Sequence, residues 1–318
     1  MKPRTWRAAL WAAYGVSGAP GLIAQVAWMR MLSAGLGHEF SALTGVLAAF
    51  FGGMALGAWL ARRPRRTMIE AARLYGMLEL ACGCWILATV PSVSAGCERV
   101  MGWVGPEASP WILGAVGFAC AFGIIGPAAT AMGATLPAME RAMRPLESDG
   151  RAVSALYAWN TAGAWIGIGL AIGWLMPTHG FRATLAIAGA LQVVCGACVW
   201  FVARRDPGAD GCLEDRPGED RRGASGGEGV GAWRRVVWAS GFLGIGFELL
   251  GVRAVAQTTE NTIRTYGWVV ASVLMGTVLG AVVARRFAGS GRWAAAPAGF
   301  GALACMCGVS VVGLTWSG

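Results

Sequence analysis

Nine runs of about twenty mostly apolar residues fill this chain, and a backbone that must satisfy its own polar groups inside lipid has few ways to fold them. A helix rises 1.5 Å per residue, so about twenty residues cross the hydrocarbon core of a bilayer. The runs cover residues 8–32, 41–61, 73–94, 110–136, 154–177, 183–203, 236–256, 266–284 and 294–316. Only 14% of all residues are charged, where a soluble domain carries about a quarter. Too little polar surface remains to cover a water-soluble globule. The sequence therefore predicts an all-α integral membrane protein of about nine transmembrane helices, with the lipid bilayer as its first partner.

Charge placement predicts the orientation. The 26 basic residues outnumber the 17 acidic ones, but they gather between the apolar runs, which points to topology and not to nucleic acid. With the N-terminus in the cytoplasm, 21 of the 26 fall on the inner side. Only Arg30, Arg99, Arg182, Arg253 and Arg264 fall outside. This asymmetry predicts a multi-pass protein of the cell inner (cytoplasmic) membrane with a cytoplasmic N-terminus. Lys2, Arg4 and Arg7 precede a first run too long for a cleavable signal, so it reads as a retained signal anchor. Trp6, Trp59, Trp111, Trp200, Trp233, Trp293 and Trp316 lie near the ends of runs and read as anchors in the headgroup zone.

Residues 204–234 break the pattern. They are rich in Gly, Asp, Glu and Arg and cannot bury a core, which predicts a disordered cytoplasmic linker. The linker divides the chain into a first six-helix membrane bundle, residues 1–203, and a second unit of three spans, residues 235–318. A shift of 223 residues lays the seventh and eighth runs on the first and second without a gap. Ser17-Gly18 meets Ser240-Gly241, Gly21 meets Gly244, Gln25 meets Glu248 and Arg30 meets Arg253. Gly53 meets Gly276, Gly57 meets Gly280, and Arg62-Arg63 meets Arg285-Arg286. Six spans separate the copies, so the two run in the same direction. Parallel six-helix repeats relate the halves of major-facilitator transporters. The expected fold is a major-facilitator-like six-helix bundle plus a partial second repeat.

Several segments carry a family resemblance. Ser17-Gly18, Gln25-Val26-Ala27-Trp28-Met29-Arg30 and Gly53-Met54-Ala55-Leu56-Gly57 resemble the opening of the membrane region of bacterial fused major facilitator/spermidine synthase proteins. Arg73-Leu74-Tyr75-Gly76-Met77-Leu78-Glu79-Leu80, Tyr157-Ala158-Trp159-Asn160-Thr161-Ala162-Gly163 and Gly180-Phe181-Arg182-Ala183-Thr184-Leu185 fit the same family. The resemblance implies a soluble aminopropyltransferase-like domain or subunit as partner. No residue of this chain matches its S-adenosylmethionine-type site, so the activity would be carried elsewhere. The turn Gly57-x-x-x-Ala61-Arg62-Arg63-Pro64-Arg65-Arg66 resembles the major-facilitator signature, with Ala61 at the Asp position and Pro64 at a Gly position.

Polar groups inside the runs are the candidate functional residues, because ionisable side chains are expensive in hydrocarbon. Glu79 and Glu248 are the acids well inside predicted spans, and Gln25, Asn160 and Gln192 are the main amides. The candidate intramembrane polar site is Gln25, Arg30, Glu79, Asn160, Glu248 and Arg253, with Glu248 expected to pair with Arg30 across the repeats. Gly18, Pro20 and Gly21 in the first span, and Gly241 and Gly244 in the seventh, predict helix breaks at matching depth, which often mark a transporter's binding site. The structural reading of the same residues is hydrogen-bonded helix clamps and close packing. Glycine pairs four apart, such as Gly163 and Gly167, fit close crossings. Cys195-x-x-Cys198 has metal spacing but lies inside an apolar run without a nearby His, so it reads as packing. No catalytic centre, cofactor or metal is predicted. Three functions follow as expectations: an anchor or conduit for an aminopropyltransferase-like activity, a transporter of a small cationic solute such as a polyamine, or a non-transporting scaffold.

Overall fold

A computed structural model describes residues 3–36, 39–62, 67–105, 108–143, 151–205, 227–258 and 263–287. Every regular element among them is a helix. The order is α1 (Pro3–Leu36), α2 (Glu39–Leu60), α3 (Met68–Thr89), α4 (Val93–Val104), α5 (Pro110–Met143), α6 (Arg151–Leu170), α7 (Met176–Arg205), α8 (Gly227–Thr258) and α9 (Ile263–Phe287). A π-helical turn, Ala171–Leu175, joins α6 to α7. Five stretches are long and apolar enough to cross a membrane: Met68–Thr89, Pro110–Met143, Ala155–Arg204, Trp238–Gln257 and Ile263–Gly280. The third is broken by Gly180, whose φ of 75° and ψ of 173° lie outside the helical region. Glycine alone adopts that conformation without strain. The predicted fifth and sixth spans meet at this break.

Several boundaries differ from expectation. The third run extends to Ser94 in sequence, but α3 ends at Thr89, and Val90 donates back to Leu87. Pro91 cannot continue the helix, and α4 starts a separate short helix beyond it. Of the predicted linker, residues 206–226 lie outside the described residues, while Gly227 onward already belongs to α8. Extending a formed helix costs little per residue, so the span propagates into polar sequence. The predicted ninth span, 294–316, lies outside the described residues. Trp6 is 2% exposed and packs in the core, so it is not an interface anchor, whereas Trp111 is 88% exposed.

The predicted breaks at Gly18, Pro20 and Gly21, and at Gly241 and Gly244, are not breaks. Both α1 and α8 run through them as continuous helix. Pro20 costs one backbone bond, to the carbonyl of residue 16, without ending the helix. Gly18 serves close packing instead, because an added Cβ would overlap the Asn160 carbonyl.

Glycine sets the spacing of the helices in the first bundle. α1 packs on α6, α2 on α5, and α3 on α7, with further contacts of α3 with α5 and α1 with α7. Exchanging α1–α3 for α5–α7 in order leaves this pairing pattern unchanged. The correspondence extends to single residues. Cβ atoms at Gly163 and Gly167 of α6 would run into the carbonyls of Gly15 and Ala19 of α1. Those at Gly53 and Gly57 of α2 would run into the carbonyls of Gly126 and Thr130 of α5. The third crossing is its own counterpart. A Cβ at Gly76 would lie 3.0 Å from the Gly196 carbonyl oxygen, and one at Gly196 would lie 2.8 Å from that of Gly76. At the other end a Cβ at Gly83 would lie 2.8 Å from the Gly189 carbonyl oxygen, so α3 and α7 cross antiparallel. Without a hydrophobic force between helices in lipid, such backbone-to-backbone packing supplies the association energy.

Arginines close two helix ends. Arg141 donates to the Ala61 carbonyl at 2.6 Å, and Arg73 donates to the Ala203 carbonyl at 3.3 Å. These basic groups meet the exposed carbonyls where the helix dipole favours positive charge.

Gly57→Ala should lower the unfolding free energy in detergent by about 1–3 kcal/mol, the usual cost of overpacking. Gly169→Ala adds its methyl where nothing lies within 4 Å, and should be neutral or slightly stabilising. Equal melting shifts for the two variants would contradict the crossing.

Candidate functional site

A polar layer divides the apolar core of the first bundle in two. One apolar cluster holds Leu10 and Tyr14 of α1, Tyr75 of α3, Met139 of α5, Leu156 of α6 and Val199 of α7. The other holds Leu22, Cys82, Ile125, Ile168 and Ala188 of the same helices. Between them, on each helix in turn, stand Ser17, Glu79, Thr135, Asn160 and Gln192. Alternation of this kind in five helices is not what packing alone would produce.

Glu79 lies at the centre of this layer. It sits midway along α3, about 16 Å of helix from either end. Its side chain is 1% exposed. Gln192 Nε2 donates to its carboxylate across the α3–α7 crossing. The Tyr75 and Ser17 side chains lie beside the carboxyl group. Tyr75 Oη donates to Ser17 Oγ at 3.0 Å, and Ser17 Oγ donates to the Tyr14 carbonyl at 3.1 Å. The Tyr14 and Tyr75 rings meet edge to face, with centroids 5.9 Å apart. The Thr135 hydroxyl donates to the Met132 carbonyl at 2.6 Å, and Asn160 Nδ2 donates to the Tyr14 carbonyl at 2.9 Å. Among the described residues the hydrogen-bond partner of Glu79, Gln192, is neutral. Gln192 Oε1 is buried and accepts no hydrogen bond among the described residues.

The layer therefore offers a carboxyl group, an orphaned amide oxygen and several hydroxyls at one depth. This is the chemistry of a site for a proton, a metal cation or an ammonium group, all of which want oxygen acceptors. An orphaned buried acceptor is itself unfavourable, by about 1–3 kcal/mol, which calls for a role.

A second polar contact joins α1 to the second unit. Gln25, 2% exposed, donates through Nε2 to Tyr266 Oη of α9 over 3.5 Å. Glu248 of α8 is 7% exposed and lies within electrostatic reach of that hydroxyl. No ion pair joins Glu248 to Arg30 among the described residues, contrary to expectation. Glu248 and Arg253 stand on different faces of α8, and Arg253 is exposed. Arg30 sits near the end of α1 beside a cavity described below.

The six candidate residues thus fall into separate places. Glu79 and Asn160 share the layer, Gln25 meets Tyr266, Glu248 is buried on α8, and Arg30 and Arg253 lie outside the layer. Sequence reading weighed Gln192 only as a neutral amide and passed over Tyr14, Tyr75, Thr135 and Tyr266. A signal for Gln192 was present. Gly76-x-Leu78-Glu79-x-x-Cys82-Gly83 recurs as Gly189-x-Leu191-Gln192-x-x-Cys195-Gly196, an offset of 113 residues. Half of the CxxC pair, Cys195, belongs to that repeat as a packing residue. Among the described residues no group of side chains could hold a metal through His, Cys, Asp and Glu ligands. No family model, curated protein or solved structure matches the chain.

In a double-mutant cycle, Glu79→Ala and Gln192→Ala should be coupled by about 0.5–3 kcal/mol in unfolding free energy. Glu79→Ala and Glu248→Ala, which share no partner, should add within about 0.5 kcal/mol. Additivity of the first pair would show that the crossing is apolar in its energetics.

Proposed function

We propose that this chain is a carrier-type membrane protein that takes a small cationic solute of the amine class, with Glu79 as its counter-charge. The observation that carries the reading is the buried Glu79 carboxyl group, whose hydrogen-bond partner among the described residues, Gln192, is neutral. A carboxylate in hydrocarbon is costly without a positive charge, and a primary ammonium brings both the charge and three donors. Gln192 Oε1 and the Tyr75 and Ser17 oxygens would complete its hydrogen bonds.

The proposed architecture is nine spans, six in the first bundle and three in a parallel partial repeat, in a major-facilitator-like arrangement. Its support is the matched helix pairing of α1–α3 with α5–α7, as in bundles built from inverted triplets of helices. The charge asymmetry supports a cytoplasmic N-terminus in the inner membrane. The resemblance to fused spermidine synthase proteins favours a second reading, in which the chain anchors an aminopropyltransferase-like domain or subunit or passes its product. The two readings share a ligand class, because aminopropyl transfer makes polyamines.

Radiolabelled spermidine uptake by liposomes holding the purified protein tests the proposal. Wild type should accumulate spermidine above empty liposomes. Glu79→Gln should reduce the rate about tenfold or more while its melting temperature stays within a few degrees. Uptake that is absent in wild type, or unchanged in Glu79→Gln, would overturn the reading.

A further inference from the structure

An opening in the structure lies away from the polar layer. A cavity of about 640 Å³ sits where the end of α1, the start of α4 and the break in α7 come together. Its polar lining is Arg30 and Ser33 of α1, Ser94 of α4, and His179, Gly180 and Arg182 at the break. The charge count assigns only five arginines to this side of the membrane, and two of them converge on this one cavity from distant parts of the chain. Arginines that merely obeyed topology would not gather on their sparse side.

The backbone adds to the positive character. Gly180 leaves the helical conformation, so the segment after it starts a new helix of some twenty-five residues at the cavity wall. The first amides of a helix have no intrahelical acceptors, and a glycine at the cap supplies no side-chain oxygen for them. The Thr184 hydroxyl donates to the Gly180 carbonyl at 2.7 Å, so it does not cap the amides by accepting from them. His179 is held in place beside the break. Its Nδ1 meets Thr178 Oγ1 at 2.5 Å, and its ring stands edge-on to Trp174 with centroids 5.8 Å apart. Ser33 Oγ donates to the Met29 carbonyl at 2.8 Å.

We propose that this cavity is a binding site for a phosphate group. Two guanidinium groups match phosphate oxygens in a bidentate manner, and a helix N-terminus offers amides to the same anion. A lone carboxylate would use few of these donors, and the volume falls in the range of sites for small molecules rather than single ions. The phosphate can belong to an anionic lipid headgroup at the membrane edge or to a free phosphate ester or ion. The site is separate from Glu79 and carries the opposite charge preference, so neither proposal depends on the other.

The test uses the full-length protein in detergent. Inorganic phosphate and phosphatidylglycerol are each titrated against it, with phosphatidylcholine as the neutral-diester comparison, and binding is read by native mass spectrometry and melting temperature. Arg182→Gln changes an exposed side chain and should fold normally. Arg204→Gln removes an exposed arginine elsewhere, one that stacks on Trp200 at 3.8 Å, and serves as the control. Binding of either probe should weaken about tenfold or more in Arg182→Gln and stay unchanged in Arg204→Gln. Preference for inorganic phosphate would assign a soluble ligand, and preference for phosphatidylglycerol would assign a lipid. If neither probe binds, or if Arg182→Gln binds like wild type, the proposal is overturned.

Discussion

The hydrogen bond between Glu79 and Gln192 exists because two helix backbones touch on either side of it. Gly76 against Gly196 and Gly83 against Gly189 bring α3 and α7 close enough for the two side chains to meet in the middle. A methyl group at Gly76, Gly83 or Gly196 would run into the facing backbone. The crossing is also where the two triplets of helices relate to each other, so the pair sits where an axis between them would run. Two carboxylates placed there would repel, and only one could ionise readily. The sequence places Glu on one side and Gln on the other, which keeps a donor for the carboxylate and leaves an amide oxygen over.

The same logic organises the rest of the bundle. Two further glycine-lined crossings, α1 on α6 and α2 on α5, hold the outer helices at the distance that α3 and α7 set. Apolar residues fill the space above and below the polar layer, where they need no hydrogen-bond partners. The layer itself must satisfy its polar atoms internally, and it does so through short links between helices, Tyr75 to Ser17 and Asn160 to Tyr14. One acceptor is left over. The second unit repeats the glycines without the crossing. Gly276 and Gly280 correspond to Gly53 and Gly57, yet an added Cβ there would meet nothing within 4 Å, because no counterpart of α5 stands among the described residues.

Much of this was legible in the sequence, for definite reasons. Apolar run length decided the helices, since lipid permits little else, and eight of the nine predicted spans fall on described helices. Glu79 stood out because a charged residue in an apolar run has few harmless explanations. The limits were equally physical. Glycine and proline in α1 look alike whether they bend a helix or admit a neighbour, and only the position of Asn160 shows which. Tyr75 reads as apolar until its hydroxyl partner is known. The break falls at Gly180, three residues after Pro177, while Pro20 breaks nothing, so proline alone does not locate it. Arg30 and Arg182 are far apart in the chain, so no local pattern predicts that they share a cavity.

Infrared difference spectroscopy of the purified protein tests the central claim most directly, since it sees the carboxyl group itself. Spermidine added to the protein should change the carboxyl stretching bands, and that change should vanish in Glu79→Gln while the amide bands stay the same. A carboxyl signal identical with and without spermidine, or one that persists in Glu79→Gln, would contradict the account. Glu79 would then be a hydrogen-bonded clamp between α3 and α7, and the polar layer a device for holding helices together.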